Sequence, residues 1–73
     1  KGKIFMQIDN VSELGKLIKD TRKSQGLTQA DLAISANVGV RFIVDIENGK
    51  ETAQIGKILQ VCQMLGLEID IKG

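Results

Sequence analysis

Residues 26–50, GLTQADLAISANVGVRFIVDIENGK, carry the signals for two helix starts and three helix stops, the last at Asn48-Gly49, within twenty-five positions. Spacing that tight reads as two short helices joined by a three-residue turn. Gly26 suits the left-handed residue that closes a preceding helix, and Thr28 places a hydroxyl to cap the next, which starts at Gln29. Asp31, three residues after Thr28, completes a capping box, with a shorter reach than Glu would have. Leu32, Ala33 and Ala36 give this helix, over 29–36, a short buried face. Asn37 is the residue type after glycine most willing to take a positive backbone angle, so it breaks the helix sharply. Gly39 is an acceptable cap for a further helix over 40–47. Ile43 and Ile46 point inward at helical spacing, which leaves Val40, Arg41, Val44 and Asp45 on the outward side. Two valines, an arginine and an aspartate make an unusual face to offer to water alone.

The flanking sequence extends the same grammar. Asn10 with Glu13 forms an N-cap and capping-box pair, and Leu14, Leu17, Ile18 and Thr21 continue one face of a helix over about 11–25. Thr52 can cap a fourth helix over about 53–65, with Ile55, Ile58, Leu59, Cys62 and Leu65 as its apolar stripe and Gly66 as its stop. After Gly66, Leu67-Glu68-Ile69-Asp70-Ile71 alternates strictly, which predicts a strand over 67–71. Ile4-Phe5-Met6-Gln7-Ile8 alternates in the same way and predicts a shorter one over 4–8. A lone strand has no partner for its edge, so the expectation is a small antiparallel sheet built across a dimer interface. The fold class is therefore all-α, four helices with short terminal strands.

Seventy-three residues make one domain with a thin core. Chains of this size usually gain stability from a metal, disulfides or a partner chain. The single Cys62 cannot form an internal bridge, and the absence of histidine removes the usual zinc arrangements, so no metal or cofactor is expected and dimerisation is the remaining remedy. Cys62 itself lies on the apolar stripe and reads as a small buried hydrophobe. Val61, Met64 and Leu67 lie off that stripe or just past it. With Ile69 and Ile71 of the strand they are candidates for the dimer interface, although a wider monomer core accounts for the first three equally well.

Catalysis is excluded on chemical grounds. Without histidine there is no ready proton shuttle near neutral pH, and the serines and threonines have no adjacent base. Phe5 and Phe42 are the whole aromatic complement, too few for a platform on which single-stranded bases stack. No apolar run approaches membrane-spanning length and no signal-peptide pattern is present, so a soluble cytoplasmic protein without a membrane partner is expected. The net charge is only +1, but Lys16, Lys19, Arg22, Lys23, Arg41 and Lys50 lie in or beside the helix–turn–helix unit. Asp9, Glu13, Glu51, Glu68 and Asp70 mostly lie outside it. That distribution is a modest electropositive bias toward one part of the chain.

Arg22 in IKDTRKSQG, Gly26-Leu27-Thr28-Gln29, Leu32-Ala33, Val38, Ile43 and the ending Ile46-Glu47-Asn48-Gly49-Lys50 together resemble the helix-turn-helix domains of the Cro/phage-repressor type, the xenobiotic-response-element family. The wording GVRFIVDIENGK, one further helix and the closing LGLEIDI look more narrowly like HipB-type antitoxins. The resemblance implies a lambda-repressor-like domain that acts as a homodimer on an inverted-repeat operator in double-stranded DNA and represses transcription. In the HipB-type subgroup the dimer also holds a HipA-type serine/threonine kinase toxin, and a C-terminal strand takes part in the dimer.

The same resemblance implies roles for individual residues. Gln29, at a helix start that offers amides and positive dipole, would bond a phosphate. Arg41 is the leading base reader, because a guanidinium near the start of the inserted helix can grip the O6 and N7 edge of guanine. Val40 would meet a thymine methyl, and Val44 and Asp45 occupy positions where related proteins place base-contacting side chains. For Asp45 an alternative is an outward residue that holds Arg41 or Lys50. Asn48, Gly49 and Lys50 sit where the family's loop meets phosphate, through main-chain amides and the lysine. Arg22 and Glu47 match a structural ion pair that links the first helix to the end of the third. Phe42 lies between core and DNA-facing sides, and core packing is the favoured reading. Other readings are a stand-alone phage-like or restriction-modification controller regulator, and a protein-binding module that keeps the fold without DNA affinity, which the low charge, Val44 and Asp45 favour.

Overall fold

Among the described residues each helix ends in the same hydrogen-bonded turn, and these turns set where the helices can pack. The structure, a computed structural model, describes residues 10–68. It comprises α1 (Val11–Ser24), α2 (Gln29–Ala36), α3 (Val40–Glu47) and α4 (Ile55–Leu65). The strand expected over 4–8, and the strand over 67–71 from Ile69 on, lie outside the described residues.

After α1, Gly26 donates to the Lys23 carbonyl and Leu27 to that of Arg22; after α2, Asn37 donates to Ile34 and Val38 to Ala33. After α3, Gly49 donates to Ile46 and Lys50 to Asp45; after α4, Gly66 donates to Gln63 and Leu67 to Cys62. This is the Schellman pattern, which satisfies carbonyls orphaned at a helix end and needs a left-handed residue. Gly26, Asn37, Gly49 and Gly66 supply it, with φ of 73°, 58°, 82° and 78°. The residue after each one folds back on its helix. Leu27, Val38 and Leu67 bring apolar side chains to the core there, whereas the fourth is the exposed Lys50.

The starts are equally local. Asn10 Oδ1 accepts the Glu13 amide at 2.9 Å. Thr28 and Asp31 form a full reciprocal capping box: Thr28 Oγ1 accepts the Asp31 amide and Asp31 Oδ2 the Thr28 amide, both at 3.0 Å. Aspartate reaches far enough here. The Thr28 amide, and after it the Thr28 side chain, hold the Asp31 carboxyl below its ordinary value. A lowered folded pKa means that this contribution is complete above the unfolded value of about 4 and disappears as pH falls through the folded one. The melting-temperature advantage of the native protein over Asp31→Asn should therefore shrink as pH drops from neutral to below about 4. Parallel thermal melts across that range check it; a difference that does not depend on pH would mean that the charge of Asp31 is irrelevant.

The core lies between all four helices. Ile18 of α1, Leu32, Ala33 and Ala36 of α2, Ile43 and Ile46 of α3, and Ile58, Val61, Cys62 and Leu65 of α4 are buried in one cluster, closed by Leu67. Leu14, Leu17, Leu27, Val38, Phe42 and Ala53 pack around it. Burial pushes the Cys62 thiol pKa up, as for an inert core residue. No helix of the described residues is long and apolar enough to cross a membrane.

The fourth helix corrects three expectations. It begins at Ile55 with Gln54 at the N-cap and no side-chain cap bond, while Thr52 lies in the preceding turn. Half-buried Ala53, packed on the core, draws the linker inward before the helix opens. The buried stripe is also rotated: Val61 is inside, and Ile55 and Leu59 are exposed. Val61 and Leu67, read from the sequence as candidates for a subunit seam, belong to this chain's own core. Met64 is exposed, and Ile69 and Ile71 lie outside the described residues. Apolar residues cover more than half the circumference of α4, so which of them are buried is set by docking against α1 and α2 rather than by periodicity alone.

Candidate nucleic-acid interface

What α3 offers outward depends on how firmly it is held from behind. Ile43 and Ile46 anchor it in the core. Behind its last turn, Arg22 Nε donates to Glu47 Oε2 at 2.6 Å and Nη2 to Glu47 Oε1 at 3.1 Å. The two side chains are only 8% and 2% exposed. Arg22 Nη1 also donates to the Leu27 carbonyl at 2.8 Å, in the turn that leads to α2. One guanidinium thus ties the end of α1, the start of the helix–turn–helix unit and the end of α3, as the sequence resemblance implied for Arg22 and Glu47.

Gln29 joins the same network. Its Nε2 donates to Glu47 Oε1 at 3.1 Å, so the side chain is turned inward and shares an oxygen with Arg22. The second N–H of that amide is what remains for a phosphate. Gly15 also matters here, although sequence reading passed over it. It is buried on α1 directly against the α3 backbone: a Cβ there would overlap the Ile46 carbonyl oxygen and lie 3.2 Å from that of Glu47. A glycine inside a helix, where it costs about 1 kcal/mol relative to alanine, is the signal that could have found it.

On the opposite side, Val40 and Arg41 are exposed, and Val44 and Asp45 are half-buried. Asp45 holds two cations: Oδ1 lies 3.4 Å from Arg41 Nε and Oδ2 lies 3.5 Å from Lys50 Nζ. Both of the contacts considered for Asp45 from sequence are present. Phe42 is half-buried against the core, and Lys57 Nζ of α4 stands 5.8 Å from its ring centroid, within cation–π range. Lys57 therefore joins the cationic surface beside α3, a position that sequence periodicity does not mark.

The loop after α3 needs one correction. The amides of Asn48, Gly49 and Lys50 all donate to carbonyls of α3 in closing the helix, so they do not point at a ligand. What the loop presents is the side chains of Asn48 and Lys50, both exposed.

Two short helices at a fixed angle, the second carrying an arginine on its exposed face and locked from behind, define the class of helix-turn-helix domains. Comparison with known proteins narrows the class. The model of the Cro/C1-type helix-turn-helix family matches residues 18–72. The HTH-type transcriptional regulator y4mF of Sinorhizobium fredii, itself uncharacterized, is 55% identical over 65 residues, spanning 89% of this chain and 86% of the relative. The chain thus belongs to the Cro/C1-type helix-turn-helix family of DNA-binding transcriptional regulators. Its fold is that of HipB: the chain superposes on the solved HipA-HipB-O2-O3 complex with a TM-score of 0.85 and 23% identity, covering 94% of this chain and 97% of the other. The restriction-modification controller protein C.AhdI from Aeromonas hydrophila gives a TM-score of 0.72 and 22% identity, over 80% of this chain and 88% of the other.

Proposed function

We propose that the protein is a sequence-specific transcriptional repressor whose homodimer places two copies of α3 in successive major grooves of an inverted-repeat operator. The observation that carries this reading is the presentation of Arg41: its side chain is 85% exposed on a helix whose other side is fixed by the Arg22–Glu47 pair. A guanidinium held out in this way can make two bonds to the O6 and N7 edge of guanine. Val40 would meet a thymine methyl, with Val44 and Asp45 behind it, while Gln29 and the side chains of Asn48 and Lys50 would meet the flanking phosphates. Ile55 and Leu59 are exposed apolar side chains on one flank of α4 that a second copy would cover, with Met64 exposed on the other flank. Bound at a promoter, such a dimer blocks polymerase.

The finer reading is the antitoxin of a HipA-type kinase that represses its own operon. It is supported by the fold match to HipB over nearly the full length of both chains. The match to C.AhdI supports a restriction-modification controller as the second reading. The neighbouring gene separates them, since it would encode a kinase toxin in one case and a methyltransferase or nuclease in the other.

Binding to DNA from upstream of the protein's own gene, measured across a salt series, tests the repressor reading. Arg41→Ala is expected to lose about 1–3 kcal/mol on the specific site, and native binding should weaken steeply as salt rises. Equal binding of scrambled DNA, or no effect of the substitution, would move the function to a protein partner.

A further inference from the structure

Asp45 breaks two local rules at once. It is an anion in the last turn of α3, where the helix dipole favours cations, and it stands on the side that would face DNA phosphates. Such violations mark functional positions more often than errors of packing. Its surroundings show what the charge does. The Asp45 side chain is 24% exposed against 85% for Arg41 and 56% for Lys50, so the carboxylate sits behind the two cations rather than in front of them. One oxygen faces each cation. The contact with Arg41 is made at Nε, the inner corner of the guanidinium, at 3.4 Å, a charge contact rather than a formed hydrogen bond.

Resting on the operator reading above, we propose that Asp45 is a positioning residue that sets the specificity of Arg41 and contacts no base itself. Once closed to a hydrogen bond on Nε in the complex, this carboxylate would fix the rotation of the guanidinium about its long axis and leave the remaining N–H groups as a fork matched to guanine. In water the contact is weak, as exposed pairs four residues apart on a helix are. When DNA displaces solvent from the groove the local dielectric falls and the contact tightens. The same carboxylate offsets the charge of Arg41 and Lys50, and so reduces their attraction to phosphates of any sequence. Asp45 therefore exchanges general affinity for discrimination. Reading a cytosine amino group would require it to reach past Arg41, which stands further out.

The test begins by selecting preferred sites from a pool of random duplexes with the native full chain. Affinities of native protein, Asp45→Asn, Arg41→Ala and the double variant are then measured on the selected duplex, on duplexes with each guanine of the site changed to adenine, and on a scrambled duplex, over a salt series. Asp45→Asn is expected to bind the scrambled duplex several-fold more tightly, with a steeper salt dependence. At one G·C pair it should lose about tenfold in preference for guanine. In the Arg41→Ala background the same change should leave preference at that pair unaltered, an interdependence that a merely structural residue would not show. Lys50→Met separates the two cations, since it should alter scrambled-duplex binding and leave the guanine preference in place. Thermal melts confirm that the variants are folded. An unchanged preference in Asp45→Asn, or a loss that persists without Arg41 and maps to a cytosine, overturns the proposal. A native protein that selects no site overturns the operator reading and this inference with it.

Discussion

Glu47→Ala is expected to leave the chain largely unfolded at physiological temperature. The substitution strands the Arg22 guanidinium in a site where its side chain is 8% exposed. Removing one partner of a buried, hydrogen-bonded ion pair costs about 3–5 kcal/mol. A single core of this size commands about 3–5 kcal/mol in all. The two figures are of the same order, so the loss is disabling rather than incremental. Gln29 would lose its acceptor too, which loosens the first turn of α2 against the end of α3. Circular dichroism against temperature reads the effect directly, and a shift of less than about 10 °C would show that the pair is solvated in solution. Arg22→Met combined with Glu47→Leu separates loss of the pair from loss of volume, because well-packed apolar replacements of a buried pair are often close to neutral. Recovery should be incomplete, since the Leu27 carbonyl accepts from Arg22 and neither replacement can donate to it. A refolded double variant with weakened DNA binding would identify the pair as the device that holds α3 in register.

The contrast between what sequence reading anticipated and what it missed follows the range of the interactions. Asn10, Thr28 with Asp31, Gly26, Asn37 and Gly66 act within a few residues of themselves, and each does in the structure what its side chain or lack of one allows. The helix–turn–helix spacing follows from those punctuation residues, and so do the outward positions of Val40 and Arg41. Long-range placements were less legible. The rotation of α4 depends on which of its many apolar residues α1 and α2 accept, so Val61 went in and Ile55 and Leu59 stayed out. Gln25, unremarkable in sequence, donates from Nε2 to the Leu65 carbonyl at 2.8 Å and pins the end of α1 to the end of α4. The resemblance and a helix start both give Gln29 a phosphate, and neither shows that its amide also donates to Glu47, eighteen positions away in sequence. The Lys50 amide is a plain miss: a loop that looks open to an anion is closed on its own helix.

Gly15→Ala should destabilise the protein by at least about 2 kcal/mol, although alanine is the better helix former by about 1 kcal/mol. The added methyl has no flexible neighbour to displace. It meets the backbone carbonyl of Ile46 and approaches that of Glu47, so relief requires α1 and α3 to move apart as rigid bodies. That movement would also stretch the Arg22–Glu47 bonds beside it, which couples the packing defect to the buried charge. Gly56→Ala, in the first turn of α4, supplies the control, because a Cβ there meets nothing within 4 Å. It should be neutral or stabilising by up to about 1 kcal/mol, from helix propensity and the reduced freedom of the unfolded chain. Denaturant unfolding of the two variants should therefore move the midpoint in opposite directions, or only downward for Gly15. If Gly15→Ala matched Gly56→Ala, α1 would have room to slide on α3, and the rigid seating of Arg41 would lose its basis. With the expected result, the same close approach that fixes α3 also makes DNA affinity sensitive to Gly15, a residue on the far side of the helix from any base.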